Sequence, residues 1–78
     1  MNLYKIDLHT LRHEDARRSV IRFIEEHWNE PTELEIVTGN SIIMKNIVIE
    51  VLGEYNLPYQ IGRAFDLHNR GYIITWTD

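Results

Sequence analysis

Seventy-eight residues with 44% apolar side chains enclose one small core, and that composition is not that of a disordered tail. The chain has no cysteine, which excludes a disulfide scaffold and a thiolate zinc site. A net charge of −4 and a pI near 5.5 argue against a strong, indiscriminate nucleic-acid binder but leave room for a local basic surface. No apolar run approaches the roughly 20 residues that span a bilayer, and the N-terminus lacks a signal-peptide core, so the expectation is a cytoplasmic protein with no membrane partner.

Taken in order, residues 3 to 8 alternate as a strand. From His13 to about Asn29 the period becomes helical: Ala16, Val20, Phe23, Ile24 and His27 fall on one stripe, flanked by Ile21 and Trp28. Glu14 and Asp15 suit the first turn, and Arg12 is a poor N-cap unless Thr10 or His13 takes that place. Pro31 lies beyond the helix end. Residues 34 to 38 form a second strand. Gly39, Asn40 and Ser41 make a short turn, with Ser41 a good N-cap for a second helix.

That second helix has the clearest stripe: Met44, Ile47, Val48, Val51, Leu52 and Tyr55. Ile42, Ile43 and Ile49 add apolar surface outside it, which suits a helix covered on more than one side. Asn56 and Pro58 end it. Two strand-like runs follow, Tyr59 to Phe65 and Tyr72 to Trp76, joined by a polar turn over residues 66–71. The order β-α-β-α-β-β, with short connections and right-handed crossovers, makes the first three strands parallel and returns the fourth antiparallel. The fold class is therefore α/β with a four-stranded mixed sheet and two helices. Both helices on one face, or one on each, are equally compatible with the pattern.

In such sheets, sites form beyond the carboxyl ends of the parallel strands. The first strand brings Asp7 and His9 there, two residues apart and so on one side of the strand. A carboxylate beside an imidazole orients or charges it, and the imidazole moves a proton. The plain alternative is two solvated residues at a strand end. The second strand brings Thr38, Gly39 and Asn40 to this edge, and the hairpin turn brings Asp66, His68, Asn69 and Arg70. The start of the second helix aims free N–H groups at the same edge, where an anion would sit, with Lys45 and Arg12 adding positive charge. Charge distribution points the same way. Glu25, Glu26, Glu30, Glu33, Glu35, Glu50, Glu54 and Asp78 belong to the far half, and no basic residue clearly joins them. Arg17, Arg18 and Arg22 precede Glu25 and Glu26, against the preference of the helix dipole, as approach of a polyanion would favour. Ordinary solvated helix charge is the competing explanation.

Ile6-Asp7-Leu8-His9-Thr10, then a helix, a strand and Thr38-Gly39-Asn40-Ser41 opening a second helix, resembles the small MutS-related (Smr) domain family. The family's first motif reads leucine-aspartate-leucine-histidine-glycine. Its second reads histidine or threonine, glycine, a polar or basic residue, then glycine. Its third, a glycine-rich turn before a strand, is matched here by Gly71 after Asn69 and Arg70. The resemblance covers nearly the whole chain, residues 1–78 as one domain. It implies a two-layer α/β sandwich, nucleic-acid binding, and often endonuclease activity associated with the Asp-Leu-His motif, which maps to Asp7 and His9. Thr10 and Ser41 stand where the family has glycine, and the late glycine cluster is reduced to Gly71.

The leading expectation is phosphodiester cleavage of RNA or nicking of DNA. His9 acts as general acid or base, held by Asp7, with His68 for the second proton transfer and His13 the next candidate. In RNA the 2′-hydroxyl is a nucleophile within the substrate, so no cofactor is required. A divalent metal on Asp7, His9 and His13 or His68 is the second route. Arg12, Thr38, Gly39, Asn40, Ser41, Lys45, Asn69, Arg70 and Gly71 are the expected nucleic-acid contacts. His27 reads as part of the first helix's core stripe, and Tyr59, Tyr72 and Trp76 as packing rather than base-stacking residues. The alternative function is a non-catalytic module that binds nucleic acid or a protein partner through the same edge, or through Ile42, Ile43 and Ile49.

Overall fold

The computed structural model describes residues 2–63 and 71–77. Its elements are β1 (Asn2–Asp7), α1 (His13–Glu26), β2 (Thr32–Val37), α2 (Ile42–Glu54), β3 (Tyr59–Ile61) and β4 (Tyr72–Thr77). They form a four-stranded mixed sheet in the order β1-β2-β4-β3 with two helices. β1 and β2 pair parallel, and β4 is antiparallel to both β2 and β3. Three strands thus share a direction, as the connections require, but β2 and β3 are not neighbours. β4 takes the place between them. Its sequence, Tyr-Ile-Ile-Thr-Trp-Thr, is β-branched or aromatic throughout, which suits a strand flanked on both sides.

Both helices cover one face. Cross-strand rows Ile6–Ile36–Ile73–Ile61 and Tyr4–Leu34–Thr75–Tyr59 point toward them. Leu34, Ile36 and Ile73 join Leu8, Ala16, Val20, Phe23, Ile24, Met44, Val48, Val51 and Leu52 in a single buried cluster. The α1 and α2 stripes read from the sequence are the faces that supply these side chains. Arg17 ties the helices together across their outer seam, holding Glu54 in a two-bonded fork at 2.7 and 2.8 Å. Four threonines, Thr32, Thr38, Thr75 and Thr77, are buried. Each hydroxyl donates to a backbone carbonyl, which removes the cost of burying it.

Three boundaries differ from the sequence pattern. α1 stops at Glu26, short of Asn29, where the chain tightens into i→i−3 bonds, His27 N–H to the Ile24 carbonyl at 3.2 Å and Trp28 N–H to the Glu25 carbonyl at 3.4 Å. The Thr77 hydroxyl reaches the carbonyls of His27 and Glu30 just beyond, at 3.3 and 3.1 Å. The His27 ring then leaves the helix axis to stack on Tyr4 at 3.9 Å, with Phe23 edge-on at 5.2 Å. β3 ends at Ile61 rather than Phe65, since Gly62 turns the chain with φ +68. α2 closes on Asn56 at φ 55, where Leu57 N–H reaches the Leu52 carbonyl at 2.9 Å and Asn56 N–H the Gly53 carbonyl at 3.1 Å.

The opposite face of the sheet is held by charge. Arg63 lies at 2.7 Å from Glu33 and 3.7 Å from Glu35, Lys5 pairs with Glu35 at 3.6 Å, and the Trp76 indole N–H donates to Glu33. This corrects the charge division read from the sequence. Lys5, Arg17 and Arg63 sit with four of the acids assigned to the far half, Glu33, Glu35, Glu50 and Glu54, through tertiary contacts that one-dimensional position does not reveal.

Leu52 has no solvent exposure and lies where α2 meets the core. Leu52→Ala is expected to lower unfolding stability by about 2–5 kcal/mol, read as a lower urea midpoint with little change in slope.

Candidate functional site

β1 delivers Asp7 and His9 to the carboxyl edge of the sheet. Leu8, between them, turns into the core with no exposure, and its N–H donates to the Val37 carbonyl at 2.8 Å. Burial of Leu8 therefore forces its two polar neighbours outward. The Asp7 carboxylate receives the His9 backbone N–H at 3.0 Å and also bonds the His9 ring at Nδ1. Both side chains are about half exposed, at 50% and 54%. These two bonds from His9, the side-chain one first, hold the Asp7 carboxyl below its ordinary value of 3.8. The carboxylate facing Nδ1 favours the tautomer with its proton on that nitrogen, in which Nε2 is the accepting nitrogen. Among the described residues nothing bonds to Nε2.

The turn after β2 comes up against this pair. Gly39 has φ +66, and a Cβ placed on it would lie 3.3 Å from the His9 Cβ. The turn is anchored by one carbonyl: Gly71 accepts the N–H groups of Thr38 and Gly39 at 2.7 and 2.9 Å. Thr38 is buried, and its hydroxyl donates to the Gly39 carbonyl at 2.8 Å, so it braces the turn from within. Ser41 follows with φ −71 and caps α2 through Met44 N–H at 3.1 Å. Serine at this position costs no strain, because any residue adopts that backbone conformation.

The structure thus brings together Asp7, His9, Thr38, Gly39, Ser41 and Gly71 at one edge. Asn40 is exposed in the turn and Lys45 is half-buried in the first turns of α2. Arg12 is the α1 N-cap residue without a side-chain cap bond, and among the described residues its guanidinium pairs with Glu14, at 3.7 Å. His13 opens α1 and is exposed. His68, Asn69 and Arg70, with Asp66, lie outside the described residues. Among the described residues no three His, Asp or Glu side chains gather as a metal ion would need. Ile42 and Ile43, beside the cap, are 73% and 59% exposed. Ile49 instead packs against the core.

Sequence reasoning did not single out Arg63, whose backbone N–H donates to the Tyr72 hydroxyl at 3.0 Å while its guanidinium crosses to Glu33. No local pattern signals such a residue, because its partners are 9 and 30 positions away. No helix among the described residues is long and apolar enough to cross a membrane. No known protein family, curated protein or solved structure matches the chain.

Because the folded Asp7 carboxyl is held below 3.8, its contribution to stability is complete above that value and is lost as pH falls through the lower folded midpoint. Carbon-detected NMR titration is expected to place the Asp7 midpoint below 3.8, and His9→Ala to move it up toward 3.8. A second expectation concerns the turn. Gly39→Ala adds a side chain at positive φ against His9, and should cost about 1–2 kcal/mol while shifting the His9 ring resonances.

Proposed function

We propose that this chain is an Smr-like nucleic-acid-binding domain that cleaves phosphodiester bonds, RNA more readily than DNA. The observation that carries the reading is the Asp7 carboxylate on Nδ1 of a half-exposed His9, which leaves Nε2 open to solvent beside a glycine turn. A neutral imidazole held in that tautomer is a general base. Placed against an RNA 2′-hydroxyl, Nε2 takes its proton, and the oxygen attacks the adjacent phosphorus. The leaving 5′-oxygen then needs a proton, which His68 is assigned to give, with His13 the alternative. Asp7 does not change protonation in this scheme. It orients the ring and stabilises the imidazolium that forms.

Charge on the phosphoryl oxygens needs donors at the same edge. Ser41 takes the Met44 N–H, and the N–H groups of Ile42 and Ile43 precede the first intrahelical bond. Those two N–H groups, Lys45 and Arg70 are the proposed partners of the phosphate. Gly39 and Asn40 allow the nucleic-acid backbone to approach, since the first has no side chain and the second is exposed.

The test is cleavage of labelled structured RNA and of supercoiled DNA, with magnesium, with manganese and with chelator, for the wild type beside His9→Ala and Asp7→Asn. Loss of about 10²–10⁴-fold in the His9→Ala cleavage rate, with RNA binding retained, is the expected result. Asp7→Asn should lose less, because the ring stays in place without its charged partner. Binding of RNA with no cleavage in any lane would replace the nuclease by a non-catalytic binding module at the same edge. Cleavage unchanged in His9→Ala would place the reaction elsewhere.

A further inference from the structure

β1 is an outer strand of the sheet, and apart from the charges of Lys5 and Asp7 it lacks, among the described residues, the features that usually blunt an edge. It runs for six residues in unbroken register with β2, without proline or bulge. Leu3 and Tyr4 on it are 56% and 37% exposed. The other outer strand, β3, has three residues, follows Pro58 and is ended by Gly62. Since Leu8 donates toward β2, alternation turns the N–H and C=O groups of Leu3 and Lys5 outward, away from the sheet.

The helix layer above this edge is charged in a self-complementary way. Arg22 and Glu26, one turn apart on α1, line with Ile6, Ser19 and Phe23 an open groove of about 180 Å³ between α1 and β1. Neither forms an ion pair among the described residues. The stack of His27 on Tyr4 sets Tyr4 level with this part of α1.

From this we infer that β1 pairs antiparallel with β1 of a second copy of the chain, about a two-fold axis at Tyr4, making one continuous eight-stranded sheet. The face rule selects the register. Both helix layers lie on the same side only if residues of equal parity face each other, which puts the axis at a residue, Tyr4 or Lys5. At Lys5 it would oppose two ammonium groups. At Tyr4, Tyr4 faces the second copy's Tyr4, and Leu3 exchanges backbone bonds with the second copy's Lys5. The same axis runs α1 antiparallel to its mate and brings the Arg22 and Glu26 side of each α1 toward that of the other copy, where opposite charges can pair. Such a contact is isologous and closes as a dimer rather than a fibre. It also sets the two Asp7–His9 pairs at opposite ends of the joint, with the two Asp7 residues about 20 Å apart along the strands.

Sedimentation equilibrium from micromolar to millimolar protein is expected to show a monomer–dimer equilibrium. Arg22→Glu opposes two acids twice by symmetry and should weaken the dimer at least about tenfold. Arg22→Glu combined with Glu26→Arg should restore it. Because the chain has no cysteine, single substitutions report the register directly. Tyr4→Cys should cross-link to itself on mild oxidation, its Cα atoms being about 4.5 Å apart at a non-hydrogen-bonded pair. Lys5→Cys should not. Circular dichroism on each variant confirms that the fold is intact, and the charge-swap pair stands if Tyr4→Cys does not fold. A monomer throughout the range overturns the inference, as does a dimer indifferent to Arg22→Glu or one that cross-links at Lys5→Cys.

Discussion

The candidate edge depends on how closely the end of β2 can approach the end of β1. Gly39 passes His9 so closely that an added Cβ would lie 3.3 Å from the His9 Cβ, and it does so at a backbone angle that favours glycine. One carbonyl, that of Gly71 at the start of β4, ties the turn down by taking two consecutive N–H groups. Three strands therefore converge on a single turn, and the imidazole is positioned by backbone geometry rather than by packing around its ring. That leaves the ring half-exposed while its carboxylate partner keeps it in one orientation.

Electrostatics divides the molecule into neutralised and open regions. On the sheet face away from the helices, Glu33 and Glu35 are matched by Arg63 and Lys5. Across the helix seam, Glu50 and Glu54 are matched by Arg17. Exposed pairs of this kind add little stability. Their effect is on where charge lies: Lys5, Arg17 and Arg63 sit against Glu33, Glu35, Glu50 and Glu54, while the net charge stays −4. Arg18, Arg22 and Lys45 have no ion-pair partner among the described residues, and Lys45 lies on the helix that starts at the candidate edge.

Much of the architecture was legible in residue order. Helical spacing located both core stripes, the Asp7–His9 spacing placed two polar groups on one side of β1, and Ser41 marked the start of α2. These are local features, set by the period of a strand or a helix and by the chemistry of a cap. Short connections likewise dictated the strand directions.

Other features depended on which distant residues meet. β4 rather than β3 lies beside β2, because the long apolar strand gains most from two neighbours. Thr77, at the far end of the chain, holds the carbonyls of His27 and Glu30 just past the end of α1. Lys5, Arg17 and Arg63 neutralise acids that the linear charge pattern set apart. The approach of Gly39 to His9 needed both strands in place before it existed at all. The sequence alone determined the elements, their directions and the placing of Asp7 and His9 on one side of the strand end. Tertiary structure decided strand order, charge pairing and the contact that makes an edge of separate motifs, since each of these is a distance between residues that sequence separation does not constrain.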